Sequence, residues 1–459
     1  MKLYFDLEKL IDERRFNFIR DGLEDVEPAD IAGMVEELPP EKAVVFFRIL
    51  PKDMEAEVFA NLDHDMQKSL IERFSDKEIC EVIEELFLDD AVDFIEEMPA
   101  AIAKRVLAHA TDETREQINK LLQYPDDSAG TIMTVEFVHL KRTLTVAEAF
   151  TKIRKIGPDK ETIYTCYITD AERKIEGVVS VKNLLLAEPT EILGDIMETH
   201  MILVHTDDDR EKVVKLFEKY DFLSMPVVDS EDRIVGIITI DDIIDVVQDE
   251  ATEDMQKMAG MLASDKPYFK TSILGLTKNR IVWLVVLMVV AMIIGGILEN
   301  FEGAIAALPI LTVFIPLLMD TGGSSGSQSA TMIIRGMALG EITPRDFFRI
   351  IWKEMRTGLL VGSILAIINF GRMWLTYMNH PEHGPNVIPI AMTVSITLLI
   401  TVFIANVVGG LLPIAAKKLK IDPAVMAAPL ITTIVDGFAL IIYFSLAVWI
   451  LGDLMATAA

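Results

Sequence analysis

Cysteine is scarce in this 459-residue chain, which contains only Cys80 and Cys166. Their separation fits neither a metal site nor a redox pair, so we expect two reduced, packed thiols. Two catalytic motifs are also missing. The chain has no G-x-x-x-x-G-K-[ST] loop of an ATPase, and no apolar segment carries the H-E-x-x-H of an intramembrane metalloprotease, since the histidines beyond residue 205 are His380 and His383 in a predicted loop. We therefore expect a protein that is not an enzyme.

Basic residues are short in the first part of the chain. Residues 1–270 hold 61 acidic and 32 basic residues, a net charge of −29, whereas residues 271–459 hold 10 acidic and 11 basic residues. This predicts a strongly anionic soluble body followed by a membrane domain. An acidic surface disfavours nucleic acid and attracts cations, although solubility alone would account for many of the individual carboxylates.

Long apolar runs occur only in the second part, where five segments are candidates to cross a membrane, which takes about 20 mostly apolar residues. They cover residues 281–298, 303–319, 357–377, 387–416 and 423–452. The third is interrupted by Arg372, whose side chain can extend to the membrane interface. Lysine and arginine are concentrated after the second and fourth segments, so we expect the N-terminal body inside the cell and the C-terminus outside.

The last apolar segment contains one carboxylate, Asp436. It lies fourteen residues after Asp422, which at 1.5 Å per residue is about 21 Å along a continuous helix and near the middle of a membrane. A carboxylate at that depth costs at least about 2.5 kcal/mol, so it should face water, an ion or a partner charge. The alternative is a hydrogen bond from a serine or threonine on a neighbouring helix.

A hydroxyl-rich stretch, residues 320–331, follows the second apolar segment. Because its serine, glutamine and threonine residues lead into an apolar run, we expect an extension of the helix and not a flexible loop. Gly322 and Gly326 are spaced for close approach of another helix, and the hydroxyl face could line a wet cavity. Pro309, Pro316, Pro413 and Pro429 allow kinks in the spans.

Residues 1–130 repeat pairs of apolar residues at helical spacing, broken by acidic residues and proline. The pattern predicts helices of two to four turns stacked in a superhelical domain. Asp89 and Asp93 are four residues apart and share one helix face, where a bridging cation would relieve their repulsion. Two solvated carboxylates would give the same spacing.

Residues 131–250 contain a tandem repeat. Ile132-Met133 recurs as Ile196-Met197, and the pattern G-x-x-[ST]-x-x-[DN] occurs at 177–183 and again at 236–242. The two copies resemble a pair of cystathionine-β-synthase (CBS) domains, in which this turn contacts adenosine ligands. The resemblance predicts a nucleotide near Gly236, Thr239 and Asp242, or regulatory dimer packing alone.

Acidic residues crowd the helical pattern that follows the second repeat. Their mutual repulsion predicts a linker helix that responds to divalent cations, which bridge carboxylates directly or through water. A solvated amphipathic helix is the alternative. The residues are Asp241, Asp242, Asp245, Asp249, Glu250, Glu253 and Asp254.

Taken together, these features resemble the MgtE family of magnesium channels and transporters. The resemblance covers essentially the whole chain, and its most specific motifs are residues 124–130, 326–331 with Arg335-Gly336, and 422–436. One difference is Ser324, where the family has asparagine in a Gly-Gly-Asn turn.

The resemblance implies a multidomain membrane protein with an N-terminal α-helical superhelical domain, tandem α/β CBS domains, a connecting helix and a five-helix transmembrane domain. The expected boundaries are 1–130, 131–190, 191–248, 249–277 and 278–459. It further implies a homodimer in the cell membrane, a central pore for Mg²⁺, with Co²⁺ or Mn²⁺ as alternatives, and ATP as a further ligand of the CBS domains. Cytosolic Mg²⁺ would close the pore. A proton- or Na⁺-coupled divalent cation exchanger is the alternative function.

The resemblance also assigns metal-binding residues. Asp436 would bind the ion in the pore and Asp422 would lie at the cytoplasmic entrance. The acids of the sensor would be Glu57, Asp89, Asp93, Asp209, Glu211, Asp221, Asp242, Asp245, Glu250, Glu253 and Asp254.

Overall fold

The computed structural model describes residues 7–23, 25–264, 268–269, 271–378, 387–426 and 428–458. The chain divides into two compact units, Met1–Val247 and Gln248–Ala459. The predicted loop with His380 and His383 lies outside the described residues.

The N-terminal part of the first unit is a stack of short helices. Each packs against the next but one along the chain, in the series α3, α5, α7, α9 and the series α4, α6, α8, α10, which is the predicted superhelical arrangement. Local signals set the boundaries: α7 begins with a capping box between Ser75 and Glu78. The helices are α1 (Leu7–Asp12), α2 (Phe16–Leu23), α3 (Pro28–Glu36), α4 (Pro40–Phe47), α5 (Lys52–Ala60), α6 (His64–Arg73), α7 (Asp76–Glu85), α8 (Leu88–Glu97), α9 (Ala100–His109) and α10 (Asp112–Leu121).

The tandem repeat forms two three-stranded sheets of the same topology, in the orders β1-β2-β3 and β4-β5-β6. In each sheet the first two strands are parallel and the last two antiparallel. The first copy has β1 (Phe137–Lys141), α11 (Val146–Ile156), β2 (Thr162–Thr169), β3 (Ile175–Ser180) and α12 (Val181–Leu186). The second has α13 (Leu193–Ile196), β4 (Val204–His205), α14 (Arg210–Tyr220), β5 (Ser224–Val228), β6 (Ile234–Thr239) and α15 (Ile240–Met258).

The repeated glycines, Gly177 and Gly236, lie where the segment that enters each copy pairs with a strand of the other copy. Thr134 pairs with Ile237 of the second copy, and Glu198 pairs with Val178 of the first. A Cβ atom at Gly236 would lie 2.7 Å from the Thr134 carbonyl oxygen. Only glycine therefore permits this approach of the entering segment to the sheet.

Both cysteines are free thiols, as expected. Cys166 is buried in the first copy, and burial raises the pKa of its thiol to about 12. At neutral pH it is therefore protonated and packs as a small apolar side chain.

In its described residues the second unit contains the last turns of α15 and six further α-helices: α16 (Ile273–Glu299), α17 (Glu302–Ala307), α18 (Ile315–Ala338), α19 (Phe347–Met378), α20 (Val387–Lys418) and α21 (Ala428–Ala458). Within the described residues, four helical stretches are long and apolar enough to cross a membrane, and they correspond to α16, α19, α20 and α21. Together with the 24-residue α18, which is more polar, they account for five long helices.

The expected bounds of the second span, 303–319, are wrong. The structure divides this segment into α17, a 3₁₀ turn at Pro309–Phe314 and the first turn of α18. Pro309 and Pro316 have no amide hydrogen, so each sits in the first turn of a new helical segment and not inside a continuous helix. The hydroxyl-rich stretch is helical, as predicted, and forms the middle of α18.

Glycines bring α18 into close contact with α20 and α21. A Cβ atom at Gly326 would lie 2.8 Å from Ile431 Cγ2 and 3.1 Å from the Ala405 carbonyl oxygen. Arg372 on α19 donates a hydrogen bond to Asn369 Oδ1 at 3.0 Å, and Asn369 donates to Ser395 Oγ on α20 at 3.1 Å. Backbone proximity and buried polar contacts thus hold these helices together, as in membrane proteins generally.

Substitution of Gly326 by alanine should destabilise the membrane unit by about 1–3 kcal/mol, because the added methyl group meets backbone that cannot move aside. The measurement is the midpoint of thermal unfolding of the full chain in detergent. Gly295→Ala is the control, since a Cβ atom there meets nothing within 4 Å. Equal midpoints for the two variants would contradict the packing described.

Candidate cation sites

Asp436 lies on α21 and is partly exposed. Because α21 begins at Ala428, Asp436 is about 12 Å beyond the first residue of the helix. It therefore lies closer to the N-terminal end of the helix than expected from a helix that begins at residue 423. The neighbouring hydroxyls of Thr432 and Thr433 both donate to the Pro429 carbonyl oxygen, at 2.9 and 2.7 Å. The carboxylate lies within electrostatic range of Asp320 on α18. The hydroxyls closest in sequence are therefore bonded elsewhere.

A polar stripe runs along α18. Asp320, Ser324, Gln328, Thr331 and Arg335 recur at helical spacing, and all are exposed in the single chain. The opposite face carries the buried glycines that pack against α20 and α21. In a membrane domain such a stripe must meet water or another protein surface, because a lipid-facing charge is costly.

A buried polar network joins α18, α19 and α20. The Ser329 hydroxyl lies 2.8 Å from Glu354 Oε2 and 3.1 Å from the Asn406 carbonyl oxygen, and Asn406 Nδ2 donates to Ser325 Oγ at 2.7 Å. Sequence reasoning missed Glu354, which stands between two basic residues in a stretch interpreted as a loop. Only the structure shows that α19 begins at Phe347, ten residues before the expected span, and so includes Glu354.

Asp422 lies in the connection between α20 and α21 and is bonded on both oxygens. Oδ1 accepts a hydrogen bond from the Ala424 amide and Oδ2 one from Lys257 Nζ, each at 2.8 Å. Lys257 is on the last turn of α15 and also pairs with Glu253. Burial lowers the pKa of Lys257, but the carboxylates of Asp422 and Glu253 outweigh this effect and raise the pKa well above its usual range. An ion pair between Lys257 and Asp422 therefore joins the end of α15 to the segment that precedes α21.

The first unit contains an acidic cavity of about 470 Å³. Four of the acids assigned by resemblance line it, namely Glu57, Asp89, Asp242 and Asp245, and four further acids join them: Glu27, Asp90, Glu161 and Asp241. Asp93 lies within electrostatic range of Asp242 and Asp245. Folding thus brings acids of the N-terminal helices together with acids of both CBS copies.

Burial and mutual repulsion raise the pKa values of several of these carboxyl groups. Asp93 reaches about 7, Asp90 and Asp242 about 6 and Glu161 about 8, in each case chiefly through burial. The pKa of Asp89, which is only 8% exposed, is also raised well above its usual range by burial and then by Asp242. Negative charge in the cavity is therefore incompletely compensated by this chain.

The donor set of the cavity suits a hard cation. Every acidic group in it is a carboxylate, the ligand type that Mg²⁺ prefers. Among the described residues Glu161 Oε2 is buried without a hydrogen-bond partner. No group of three or more His, Cys, Asp or Glu residues in the described part of the chain is placed to hold a metal ion by itself.

The other assigned acids lie elsewhere. Asp209 caps α14 by accepting a hydrogen bond from the Glu211 amide at 2.9 Å, and Glu211 pairs with Lys215 at 3.2 Å. Asp221 ends α14 in a left-handed conformation. Glu250, Glu253 and Asp254 lie on the second half of α15.

A cleft of about 1020 Å³ opens beside the first copy of the G-x-x-[ST]-x-x-[DN] turn. Ser180 and Asn183 line it together with Tyr164, Asp221 and Phe222. The residues predicted to contact a nucleotide are not among its lining residues.

The turn of the second copy is engaged in local contacts. Gly236 packs against Met133 and Thr134, and Thr239 Oγ1 donates a hydrogen bond to Asp242 Oδ2. The candidate nucleotide cleft is therefore beside the other copy of the turn.

The fold and sites described above define a multi-pass membrane protein with a CBS pair and clustered carboxylates, an organisation that fits an ion transporter. Comparisons with known proteins agree. The profile of the divalent cation transporter family MgtE matches residues 315–446, that of the MgtE intracellular N domain residues 26–127, and that of the CBS domain residues 129–189 and 193–249.

The chain belongs to the MgtE family of magnesium transporters. It is 35% identical to the magnesium transporter MgtE of Thermus thermophilus, over 97% of this chain and 98% of that protein. It is 30% identical to the MgtE of Bacillus subtilis, over 95% of each. This is a family of transporters and not a class of enzymes.

Two solved structures resemble the soluble part of the chain. One is the cytosolic domain of the Mg²⁺ channel MgtE in complex with ATP, at 35% identity and a TM-score of 0.50, covering 52% of this chain and 98% of that one. The other is the soluble part of a magnesium transporter, at 29% identity and a TM-score of 0.51, covering 53% and 96%.

The raised pKa values give a pH dependence with a definite sign. A carboxyl group whose pKa is raised in the folded protein adds stability below its unfolded pKa, near 4, and this contribution is lost as the pH rises through the folded value. In Mg²⁺-free buffer at pH 9, Glu161→Gln should therefore slow proteinase K cleavage of residues 1–247 about threefold relative to wild type, a modest factor because the group is partly solvated. At pH 5.5 the folded carboxyl group is still protonated and only a small part of the effect is present, so the difference should fall below about 1.5-fold.

The matched control is Glu172→Gln, which changes an exposed glutamate in the turn between β2 and β3. It should leave the cleavage rate unchanged at both pH values. An equal effect of both substitutions, or no effect of Glu161→Gln at pH 9, would contradict repulsion inside the acidic cavity.

Proposed function

We propose that this protein is a homodimeric channel that admits Mg²⁺ down its electrochemical gradient and closes when cytosolic Mg²⁺ is high. The observation that carries the proposal is the position of Asp436 beside the exposed polar stripe of α18. A second copy of the chain, with the same stripe facing it across a symmetry axis, would enclose a polar path and remove these groups from lipid.

In this pore the two Asp436 carboxylates would hold Mg²⁺ through its water shell. Mg²⁺ loses its water reluctantly and usually keeps several molecules when bound. Ser324 and Gln328, on the same stripe as Asp320, offer further polar groups to a hydrated ion. Ser324 supplies a hydroxyl where the family has an amide, so we expect the ion path to tolerate this difference.

The membrane potential supplies the driving force for influx. An inside-negative potential favours cation influx by about 2.3 kcal/mol per charge per 100 mV, and hence by about 4.6 kcal/mol for a divalent ion. The positive residues beyond the second and fourth spans support an orientation with the first unit in the cytosol.

For closure, we propose that cytosolic Mg²⁺ enters the acidic cavity and offsets its negative charge. Hydrated Mg²⁺ would contact carboxylates of the N-terminal helices, such as Asp89 and Asp93, and of the CBS copies, such as Asp242 and Asp245. Glu161, whose buried oxygen has no partner among the described residues, is a further acceptor. The N-terminal helices would be drawn onto the CBS pair.

The closed state is transmitted through α15, which continues from the second CBS copy to the Lys257–Asp422 pair. Glu250, Glu253 and Asp254 on this helix add carboxylates that cytosolic Mg²⁺ could bridge. Asp209, Glu211 and Asp221 are proposed as outlying acids of the same sensor, and their local contacts imply weaker binding. ATP is proposed to bind the cleft beside Ser180, where Asp221 can accept a hydrogen bond from a ribose in place of Asn183.

Asp436→Asn should reduce Mg²⁺ uptake at least about tenfold. The substitution keeps the size and polarity of the side chain but removes the negative charge that would attract the ion. The measurement is Mg²⁺-dependent growth of an uptake-deficient strain, together with initial uptake rates at equal protein level. Asp453→Asn, near the end of the same helix, is the control and should support wild-type uptake. Unchanged uptake with Asp436→Asn would remove this residue from the ion path.

Lys257→Met should weaken closure, because the end of α15 loses its ion pair with Asp422. We expect uptake to remain high at cytosolic Mg²⁺ concentrations that close the wild-type channel, with little change at low Mg²⁺. The control is Lys278→Met, at an exposed position near the beginning of α16. Wild-type sensitivity to Mg²⁺ in the Lys257 variant would contradict the role of this pair in closure.

A further inference from the structure

The first unit also contains a basic cavity of about 420 Å³, bounded by α10 and by the first CBS copy. Lys120, His139, Lys152, Lys160 and Arg173 line it, and no aspartate or glutamate occurs among the lining residues that the structure describes. Four lysine and arginine side chains thus converge on one cavity in a part of the chain whose net charge is −29.

These cations have been brought together against their mutual repulsion. Lys152 is partly buried and donates a hydrogen bond to the His139 carbonyl oxygen at 2.8 Å, and burial followed by Lys141 lowers its pKa. Burial also lowers the pKa of His139, and the positive charges of Lys152, Arg173 and Lys160 lower it further by disfavouring a protonated imidazole. Several other cations of this unit are paired with acids, as Arg48 is with Glu78.

Arg173 supports the same conclusion from the backbone. It has a φ of 66°, a left-handed conformation that is unusual outside glycine, asparagine and aspartate. The corresponding turn of the second copy places Asp232 at this position, with a φ of 62°. The two turns share a conformation but carry opposite charges, so the turn itself does not require the arginine.

The other walls of the cavity are apolar. Met133, Phe137 and Ile156 contribute to them. Arginine binds phosphate through paired hydrogen bonds, and lysine binds it as a point charge. A phosphate group carries about two negative charges at neutral pH, so one or two such groups match the four lysine and arginine side chains.

We propose that the basic cavity is a binding site for a small phosphorylated anion, distinct from the nucleotide cleft beside Ser180. The ligand would bridge Lys120 on α10 and the Lys152–Arg173 side of the first CBS copy. The phosphate could be inorganic or part of an organic molecule whose body lies on the apolar walls. This site does not depend on the proposed pore.

The test is equilibrium dialysis of the full-length protein in detergent, without Mg²⁺, against radiolabelled pyrophosphate and separately against ADP. Lys152→Met and Arg173→Met should each weaken binding about tenfold or more, the usual effect of losing one charged hydrogen bond. Lys155→Met, an exposed position on the same helix, should change affinity less than about twofold. Tighter binding of ADP that also depends on Lys152 would assign an organic body, and equal affinities would assign the phosphate alone.

The proposal is overturned if neither probe binds at millimolar concentration, or if Lys155→Met weakens binding as much as Lys152→Met. A second measurement needs no variant: lysine acetylation of the wild-type protein, followed by mass spectrometry. Pyrophosphate should protect Lys152 and Lys160 but not Lys155. Equal labelling of Lys152 with and without pyrophosphate would also overturn the site.

Discussion

Repulsion between carboxylates held in one cavity is the constraint on which the soluble unit depends. Eight acids from the N-terminal part and both CBS copies line the acidic cavity, and burial raises the pKa values of several of them toward the neutral range. Near neutral pH these carboxyl groups can therefore lose their protons, and the proposed binding of divalent cations would offset the repulsion that follows. In the proposed mechanism Mg²⁺ takes this role, because its charge and its preference for oxygen ligands suit a cavity lined by carboxylates.

In the membrane unit, too, charged and polar side chains are held in surroundings that disfavour them. Glycines such as Gly326 bring α18 against α20 and α21, and this packing turns the polar stripe of α18 away from the buried face. The stripe and Asp436 then need a polar surrounding, which a second copy and hydrated ions would provide. In the proposed dimer, carboxylates that are costly in lipid would bind a cation.

Local patterns predicted much of this structure. The repeats at Ile132-Met133 and Ile196-Met197 gave the CBS pair, and hydropathy gave four of the long helices. The second span was misplaced because apolar composition does not reveal that Pro309 and Pro316 interrupt the helix. The resemblance assigned four acids that line the cavity, but it did not include Glu161, which only the folded chain brings to them.

Other features depended on tertiary structure from the outset. The sequence contains two copies of the turn motif and does not show which of them lies beside an open cleft. In the structure the cleft lies beside Ser180, in the first copy, whereas Thr239 and Asp242 of the second copy are hydrogen-bonded to each other.

The most direct test of the account is a spin-label distance measurement in the full-length protein, with labels at Glu37 and Glu172 after both native cysteines are replaced by alanine. Millimolar Mg²⁺ should shorten and narrow the distance distribution, whereas NaCl of equal ionic strength should not; equal responses to the two salts, or none to Mg²⁺, would contradict the account.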